Sequence, residues 1–305
     1  MPRILVTGVS GLLGINLAHE LMRDFEIVGM DRGKLMNTPF KIWKADLLDA
    51  GVVDAVLDSV RPDWVINCAA LANLEDCENN PSLARTLNTD LPGQMAKACK
   101  LRDISFAHIS TDAVFDGTKK GFYTENDAPN PLGVYSQTKL DGEYKVMNEN
   151  NNAMIARVNF YGWSLSGKRS LAEFFYYNLA NQKSISGFTD VIFCPMFVNH
   201  TVRTLTKMFE KKLSGTYHLV GTQPMSKYQF GVELARKFGL NEKDIEPKSI
   251  NSSNLTARRS HNLALSTHRL STDLGESLPE FSTGLDEFFA QYQQGFPQNI
   301  KGYLV

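Results

Sequence analysis

Three side chains with complementary proton chemistry lie between residues 111 and 139. Thr111 follows an apolar run that predicts a strand over residues 104–109, and Tyr135 and Lys139 follow a polar loop. Because Tyr135 and Lys139 are four residues apart, a helix places both side chains on one face, one turn from each other. A neighbouring ammonium lowers the pKa of a phenol, and the Thr111 hydroxyl is placed to hold a carbonyl oxygen against it. The spacing therefore predicts a proton donor for carbonyl reduction.

A glycine-rich turn near the N-terminus predicts a second functional element. The apolar run 4–6 is typical of a strand buried in a parallel sheet. Gly8, Gly11 and Gly14 follow it with the spacing G-x-x-G-x-x-G, and an amphipathic helix comes next. A turn of this kind lets backbone amides approach the pyrophosphate of a dinucleotide. The alternative is a plain glycine-rich connection between a strand and a helix.

Charged residues after the next two predicted strands bear on the choice of dinucleotide. Asp31 lies 20 residues after Gly11, where a carboxylate accepts both ribose hydroxyls and repels a 2′-phosphate, so it favours NAD. Arg32 beside it either pairs with a 2′-phosphate or forms a solvated surface pair. Asp46 is predicted either to meet the adenine amino group or to cap a helix that begins near Leu48.

The chain continues to alternate between strands and helices up to about residue 160. The predicted strand 64–67 ends in Cys68-Ala69-Ala70, small residues that let a cofactor ribose lie against the strand end. A long helix is predicted over 81–101 with a kink at Pro92-Gly93. Asn88 just before it either satisfies the backbone at the kink or takes part in catalysis. We predict a dinucleotide-binding domain over 1–160 and, over 161–305, mainly a substrate-binding lobe with some segments returning to the sheet.

Composition argues against several classes of protein. The chain has 305 residues, enough for two subdomains, and its formal net charge of −1 provides no basic field for nucleic acid. It lacks an apolar run of about 18 residues, so no membrane span is predicted, and the N-terminus does not resemble a signal peptide. The 4 cysteines lack disulfide or metal-ligand spacing. We therefore expect reduced thiols, no metal site and a cytoplasmic protein.

Together these motifs resemble the extended short-chain dehydrogenase/reductases. Within that class they are most similar to the dTDP-4-dehydrorhamnose reductase family, which includes the methionine adenosyltransferase regulatory (beta) subunits. The segments that carry the resemblance span nearly the whole chain: 7–14, 67–70, 75–78, 88–90, 110–117, 123–127, 135–143, 215–219 with Ser226, and 258–265.

The resemblance implies a fold and a set of site residues. The fold is α/β, a doubly wound parallel sheet of the Rossmann type with a smaller C-terminal α/β lobe that closes on a nucleotide sugar. Tyr135 would be the general acid, Lys139 would bind the nicotinamide ribose and tune Tyr135, and Thr111 would hold the carbonyl. The cofactor would be NAD or NADP, and a homodimer is suggested. The implied cofactor-binding residues are Gly8, Ser10, Gly11, Leu12, Leu13, Gly14, Asp31, Arg32, Asp46, Leu47, Cys68, Ala69, Ala70, Tyr135 and Lys139, and the implied substrate residues are Thr111, Asp112, Val114, Asn159 and Trp163.

Several residues depart from the family pattern. Ala113 stands where a tyrosine is common, Ser136 replaces a glycine, Leu12 stands in place of a glutamine, and segment 187–200 does not match the substrate loop. Ala113 also disfavours a dehydratase, because dehydratases of this superfamily carry a glutamate there as an acid/base partner. The preferred function is reduction of a 4-keto-6-deoxy nucleotide sugar by NAD(P)H. The alternatives are a non-catalytic regulatory subunit and a nucleotide-sugar epimerase.

Overall fold

The computed structural model describes residues 1–33, 35–252 and 258–304, so Val305, at which the predicted second lobe ends, lies outside it. Its strands are β1 (Arg3–Thr7), β2 (Glu26–Asp31), β3 (Lys41–Lys44), β4 (Trp64–Asn67), β5 (Ser105–Thr111), β6 (Met154–Val158), β7 (Phe160–Tyr161), β8 (Ile185–Phe188), β9 (Ile192–Phe193), β10 (Met196–Phe197), β11 (Gly215–Leu219), β12 (Met225–Ser226), β13 (Ile245–Lys248) and β14 (Asn262–Leu263).

The helices lie mostly between these strands. They are α1 (Leu12–Leu21), α2 (Val52–Val60), α3 (Leu74–Asn79), α4 (Pro81–Arg85), α5 (Leu91–Lys100), α6 (Val134–Glu149), α7 (Leu171–Ala180), α8 (Val198–Glu210), α9 (Lys227–Lys237), α10 (His268–Leu274), α11 (Phe281–Gln293) and α12 (Phe296–Lys301). A π-helical turn covers Thr86–Asp90, and short 3₁₀ turns cover Asp112–Val114, Glu242–Asp244 and Ile250–Ser252.

A parallel sheet of seven strands, in the order β11-β6-β5-β4-β1-β2-β3, forms the centre of the molecule. Both of its faces are buried, because alternate residues of each strand point to opposite sides. Ile4 and Val6 of β1 pack into one core cluster, whereas Leu5 of the same strand packs into a second cluster on the other face. This arrangement confirms the predicted doubly wound parallel sheet.

The strand order reverses between β1 and β4. These two strands run side by side in register, with Thr7 opposite Asn67 at their carboxyl ends. At such a reversal the connections leave to opposite faces of the sheet and open a crevice, which is where doubly wound proteins bind ligands. The glycine turn after β1 and the small residues after β4 both lie at this point.

The long helix predicted over 81–101 is interrupted, but not at Pro92. The break is the π-helical turn Thr86–Asp90, and Pro92 lies in the first turn of the helix that follows it. Proline is tolerated in a first turn because its missing N–H has no intrahelical acceptor there. Asp90 and Leu91 keep helical backbone angles, so the π-helical turn widens the helix just before Pro92 without ending it.

Residues after 160 build a second layer and also complete the main sheet. Strand β11 pairs with β6 at one edge of the seven-stranded sheet, while the short strands pair as β7–β10, β8–β13 and β12–β9–β14. Aromatic side chains fill the space between α7, α9 and α11, with Trp163 stacked on Phe288 at a ring-centroid distance of 4.1 Å. The division into domains at residue 160 stays a prediction.

Candidate active site

The glycine turn follows β1 at the reversal of the sheet. Gly8 has a φ of 61°, and a Cβ atom there would lie 2.8 Å from the Cα atom of Ala69 after β4. A Cβ atom on Gly14 would lie 2.5 Å from the carbonyl oxygen of Gly8. The turn is closed by a hydrogen bond from the Gly11 amide to the Gly8 carbonyl oxygen (2.8 Å), and α1 begins at Leu12. Only glycine fits at these positions, so backbone amides approach the crevice closely.

The predicted cofactor residues around this turn differ in their exposure. Ser10, Gly11 and the segment 68–70 are half-buried, whereas Leu12, Leu13 and Gly14 are buried in the first turn of α1. A ligand in this crevice would therefore meet the first group directly.

Asp31 and Arg32 lie at the carboxyl end of β2, next to the crevice. The buried Asp31 carboxylate accepts a hydrogen bond from the Gly33 amide (2.9 Å), which fixes its orientation. The exposed Arg32 lies 3.8 Å from the carboxylate of Asp46. Arg32 thus forms the solvated pair that was one of its two predicted roles, and the other role stays a prediction.

The expectation that Asp46 caps a helix near Leu48 is wrong. The Asp46 carboxylate accepts a hydrogen bond from the Leu48 amide (3.0 Å), but the chain forms a turn there and α2 begins only at Val52. Leu47 is half-buried and packs against the core cluster on one face of the sheet. A direct contact between Leu47 and a cofactor therefore stays a prediction.

Thr111 and Tyr135 come together between the end of β5 and the start of α6. Thr111 is buried, and its hydroxyl accepts a hydrogen bond from the Ala113 amide (3.2 Å) and donates one to Asp112 (3.2 Å). Burial raises the pKa of the Tyr135 phenol to about 12, while a side-chain hydrogen bond from Thr111 opposes that rise and the Asp112 charge adds to it. The phenol is therefore held in its neutral, proton-donating form at neutral pH.

Lys139 lies one turn further along α6, with 2% of its surface exposed. Its ammonium donates a hydrogen bond to the carbonyl oxygen of Ile109 (2.5 Å) and lies 3.3 Å from Nε2 of His108. Burial lowers the pKa of Lys139 to about 8, although the nearby Glu143 carboxylate and Cys68 favour the charged form. His108 did not emerge from the sequence, where its only signal is a polar residue inside an apolar strand.

The position of Lys139 corrects one expectation. A neighbouring ammonium was expected to lower the pKa of the Tyr135 phenol, but that pKa is raised. The Lys139 ammonium is turned towards the backbone of β5. Desolvation is the largest influence on the pKa of Tyr135, and Lys139 is not among the groups that shift it.

The start of α6 is fixed by two side chains. The Glu78 carboxylate accepts a hydrogen bond from the Val134 amide (2.8 Å), and the Ser136 hydroxyl accepts one from the Gly133 amide (3.2 Å). A carboxylate at a helix N-terminus is also favoured by the helix dipole. Ser136, which departs from the family pattern, thus caps the helix that carries Tyr135.

Asn88 satisfies backbone and side-chain groups between the π-helical turn and α6. Its side chain accepts a hydrogen bond from the Leu71 amide (2.9 Å) and donates to the Leu71 carbonyl oxygen (3.0 Å) and to Thr138 Oγ1 (3.1 Å). Asn88 has no exposed surface. Asn88 therefore bonds to Leu71 and Thr138 and not, as one of its two predicted roles required, to the backbone at the kink. A part in catalysis stays a prediction.

A second group of charges faces the site from the C-terminal lobe. The Asn159 amide donates a hydrogen bond to the Asp112 carboxylate (2.5 Å). Burial raises the pKa of Asp112 to about 6, although Asn159, Thr111 and the charge of Lys227 favour its ionised form. Burial and the neighbouring Arg259 lower the pKa of Lys227. Lys227 was missed because the first residue of an amphipathic helix carries no signal of its partners.

Two of the predicted substrate residues do not present their side chains to the site. Val114 has no exposed surface and packs in a small apolar cluster with Phe115 and Leu265. Trp163 is also fully buried, and its indole N–H donates to the carbonyl oxygen of Phe288 (3.2 Å). Their large apolar surfaces are more stable in the core than in a crevice. The prediction that these two side chains contact a substrate is therefore wrong.

Residues 1–33, 35–252 and 258–304 contain neither a metal-binding cluster nor a membrane-spanning helix. Across these ranges the His, Cys, Asp and Glu side chains form no group of three or more that could hold a metal ion. No helix in the same part of the chain combines the length and apolarity needed to cross a membrane.

The seven-stranded sheet and the glycine turn are those of the Rossmann-type fold. Together with Thr111, Tyr135 and Lys139, they are typical of the extended short-chain dehydrogenase/reductases. Within that class, the chain belongs to the family described as RmlD substrate binding domain, whose model matches residues 2–294. The resemblance inferred from the motifs is thereby confirmed.

Individual relatives fall into two functional groups. The chain is 31% identical, over 90% of its length and 93% of the relative, to a probable low-salt glycan biosynthesis reductase of Haloferax volcanii. It is 30% identical, over 91% of its length and 84% of the relative, to the methionine adenosyltransferase 2 subunit beta of Bos taurus. The crystal structure of dTDP-4-dehydrorhamnose reductase from Bacillus anthracis in complex with NADP superposes with a TM-score of 0.85 at 26% identity, covering 95% of this chain and 99% of that one.

Proposed function

We propose that this protein is an NAD(P)H-dependent reductase of a 4-keto-6-deoxy nucleotide sugar. The observation that carries the proposal is the position of Tyr135. Its neutral phenol lies beside Thr111, one helical turn from a buried ammonium. These three side chains lie at the carboxyl edge of the sheet, where the glycine turn also lies.

The crevice beside the glycine turn fits a dinucleotide. Gly8 lets the turn pack against the backbone of Ala69, and Gly14 lets α1 begin close behind it. The amides at the start of α1 suit a pyrophosphate. Asp31 would accept the ribose hydroxyls and favours NAD, whereas the exposed Arg32 is available to a 2′-phosphate. When bound, the nicotinamide supplies the hydride.

Each polar residue then has one task. Thr111 holds the ketone oxygen by a hydrogen bond, and Tyr135 donates its phenolic proton to that oxygen as it becomes a hydroxyl. Lys139 binds the nicotinamide ribose with its buried ammonium. Lys227, whose charge acts on Asp112, and its neighbour Arg259, which pairs with Glu75 at 3.5 Å, are our candidates to bind the diphosphate of a nucleotide sugar.

The test is consumption of reduced cofactor. The purified protein, given a dTDP-4-keto-6-deoxy sugar, should oxidise NADH or NADPH, which is followed by absorbance at the nicotinamide band. Tyr135→Phe should lower the turnover by about 10²–10⁴-fold, the range of a lost general acid. Tyr144→Phe is the matched control, because Tyr144 lies on the same helix with 55% of its surface exposed. If no keto-sugar nucleotide consumes cofactor, or if both variants lose activity equally, the proposal fails.

A regulatory subunit is the second candidate function. It is favoured by the 30% identity to the bovine methionine adenosyltransferase 2 subunit beta over 91% of this chain. That function predicts a stable complex with a methionine adenosyltransferase catalytic subunit, detected by co-elution in size-exclusion chromatography. It also predicts that Tyr135→Phe leaves the complex intact. A nucleotide-sugar epimerase would instead retain tightly bound NAD through purification.

A further inference from the structure

His108 is a buried imidazole that the mechanism above does not use. It lies on β5 with no exposed surface, and its ring faces α6. Nδ1 lies 3.2 Å from the side-chain amide of Asn67 on β4, and Nε2 lies 3.3 Å from the Lys139 ammonium. Gly142 of α6 lies beside the ring, and a Cβ atom there would be 3.6 Å from Nε2.

The contact with Asn67 continues to the glycine turn. The hydroxyl of Thr7, the last residue of β1, lies 2.6 Å from Oδ1 of Asn67 and 3.4 Å from the amide of Ala69. Thr7 precedes Gly8, at which the turn begins. A chain of polar contacts therefore runs from the turn through Asn67 and His108 to Lys139.

We propose that His108 is a positioning residue for Lys139. Nε2 of His108 accepts a hydrogen bond from the Lys139 ammonium, and His108 connects that ammonium, through Asn67 and Thr7, to the glycine turn. The part of this inference that concerns cofactor binding rests on the proposed function. The part that concerns Lys139 itself does not.

A charged Lys139 allows one arrangement of protons along the polar contacts from Thr7 to Lys139. An ammonium only donates, so Nε2 of His108 must accept, and the single proton of the neutral ring is then on Nδ1. That N–H requires the oxygen of the Asn67 amide, which a half-turn of the amide provides, leaving the amide nitrogen to donate to the Thr7 hydroxyl. A hydroxyl accepts as readily as it donates, so the Thr7 oxygen accepts from Asn67 as well as from the Ala69 amide.

The ring must stay neutral for this role. Burial and the charge of Lys139 lower the pKa of His108 well below its usual value. The other ionisable groups that face Lys139 are Glu143 on its own helix and Cys68 after β4. The Glu143 carboxylate is itself paired with Arg157 of β6 (2.7 Å). His108 is therefore the neutral side chain that bonds the ammonium, while the Ile109 carbonyl oxygen takes a second of its three N–H groups.

The experiment follows the protonation of Lys139 in the full-length protein without cofactor. The Lys139 Cε carbon-13 shift is recorded between pH 6 and pH 10 and assigned with Lys139→Met. In the wild-type chain the midpoint should lie near the pKa of about 8. His108→Phe removes the acceptor and should lower the midpoint by about one pH unit or more, because a hydrogen bond to a charged group stabilises that form.

Two further variants distinguish the loss of the hydrogen bond to Lys139 from a general disturbance of the core around residue 108. His108→Gln places an amide near the position of Nε2 and should return the midpoint towards the wild-type value, whereas His108→Asn reaches Asn67 but not Lys139 and should not. If His108→Phe does not fold, the Gln and Asn variants alone decide. The control is His200→Gln, because His200 is a buried histidine of α8 that pairs with Glu287 of α11. This substitution should leave the midpoint of Lys139 unchanged. An unchanged midpoint in His108→Phe, or equal midpoints in the Gln and Asn variants, overturns the proposal.

A second measurement keeps this result distinct from the proposed function. The fluorescence of NADH is titrated against each variant at pH 7.5, and His108→Phe should bind NADH about tenfold more weakly than the wild-type chain, with partial recovery in His108→Gln. If the wild-type chain binds neither NADH nor NADPH, the proposed function fails, but the carbon-13 midpoints still decide the role of His108.

Discussion

Gly142 of α6 lies directly against Asn88 of the π-helical turn, and a Cβ atom on Gly142 would be only 2.1 Å from the Asn88 carbonyl oxygen. We expect Gly142→Ala to push α6 away from the turn and to destabilise the protein by about 1–3 kcal/mol, the usual cost of overpacking. Turnover should fall as well, because α6 carries Tyr135 and Lys139. Urea unfolding and the cofactor-oxidation assay measure the two effects.

Gly93→Ala is the matched control for that substitution, because Gly93 lies on α5 at the same interface. A Cβ atom there would meet only the flexible side chain of Lys145, with Cγ at 2.5 Å. The Lys145 side chain can move more readily than a backbone carbonyl, and the helix propensity of alanine partly offsets its displacement. Gly93→Ala should therefore destabilise the protein less than Gly142→Ala does. Equal losses in the two alanine variants would show that the close approach of Gly142 and Asn88 is not what limits the site.

Lys139→Met should abolish turnover yet stabilise the protein without cofactor at pH 7. The pKa of Lys139 is lowered from 10.5 to about 8, so the buried charge disfavours the folded state at every pH below about 8. The variant should therefore be more stable by up to about 3 kcal/mol, less the hydrogen bonds lost at the Ile109 carbonyl oxygen and at His108.

The stability difference between Lys139→Met and the wild-type chain should depend on pH. As the pH rises from about 8 to 10.5, the folded protein loses the lysine proton while the unfolded chain retains it, and the penalty disappears. Urea midpoints of wild type and Lys139→Met should consequently converge over this range. A gap that stays constant from pH 7 to pH 10 contradicts a buried ammonium.

Asn159→Leu should raise the pKa of Asp112 above its value of about 6. The Asn159 amide donates to the carboxylate at 2.5 Å and stabilises its charged form, so its loss should raise the titration midpoint by about one unit. Thr111→Val removes a longer bond of 3.2 Å and should raise it less. The Asp112 Cγ carbon-13 shift, followed from pH 4 to pH 9, ranks the two variants, and the reverse order contradicts this account.

Gly8→Ala should weaken NADH binding, whereas Gly239→Ala should not. Both glycines have a positive φ (61° and 65°), so both substitutions strain the backbone, but a Cβ atom on Gly8 meets Ala69 and one on Gly239 meets nothing within 4 Å. We expect Gly8→Ala to lower the affinity for NADH by about tenfold or more, and Gly239→Ala to change only stability. Fluorescence titration distinguishes the two, and equal affinities would remove the glycine turn from the cofactor site.

The sequence was sufficient to predict the elements of the fold and the residues with obvious chemistry. Strand β4 lies at 64–67 as predicted, because a short apolar run between turn residues has few other conformations. Tyr135 and Lys139 share a helical face because their spacing depends on local geometry alone. The fold class followed from the alternation of such elements.

The partners of those residues required the three-dimensional structure. Lys139 bonds to the backbone of Ile109 and contacts His108, which are 30 and 31 residues away, and local spacing carries no information about such contacts. The resemblance implies that Trp163 is a substrate residue, and only its packing on Phe288 shows that its side chain belongs to the core. The rise in the pKa of Tyr135 likewise depends on burial, which the spacing alone does not report.

The chain of contacts that ends at Lys139 also bears on how the molecule folds. Thr7 and Asn67 are 60 residues apart, Asn67 and His108 are 41 apart, and His108 and Lys139 are 31 apart. Contacts between such distant residues in parallel strands form slowly, because long loops must close first. We expect the imidazole of His108 to become protected from solvent only in the last phase of refolding, after most of the helical circular dichroism has returned. The environment of this one ring would then mark the moment at which a newly made chain becomes competent to bind its ligand.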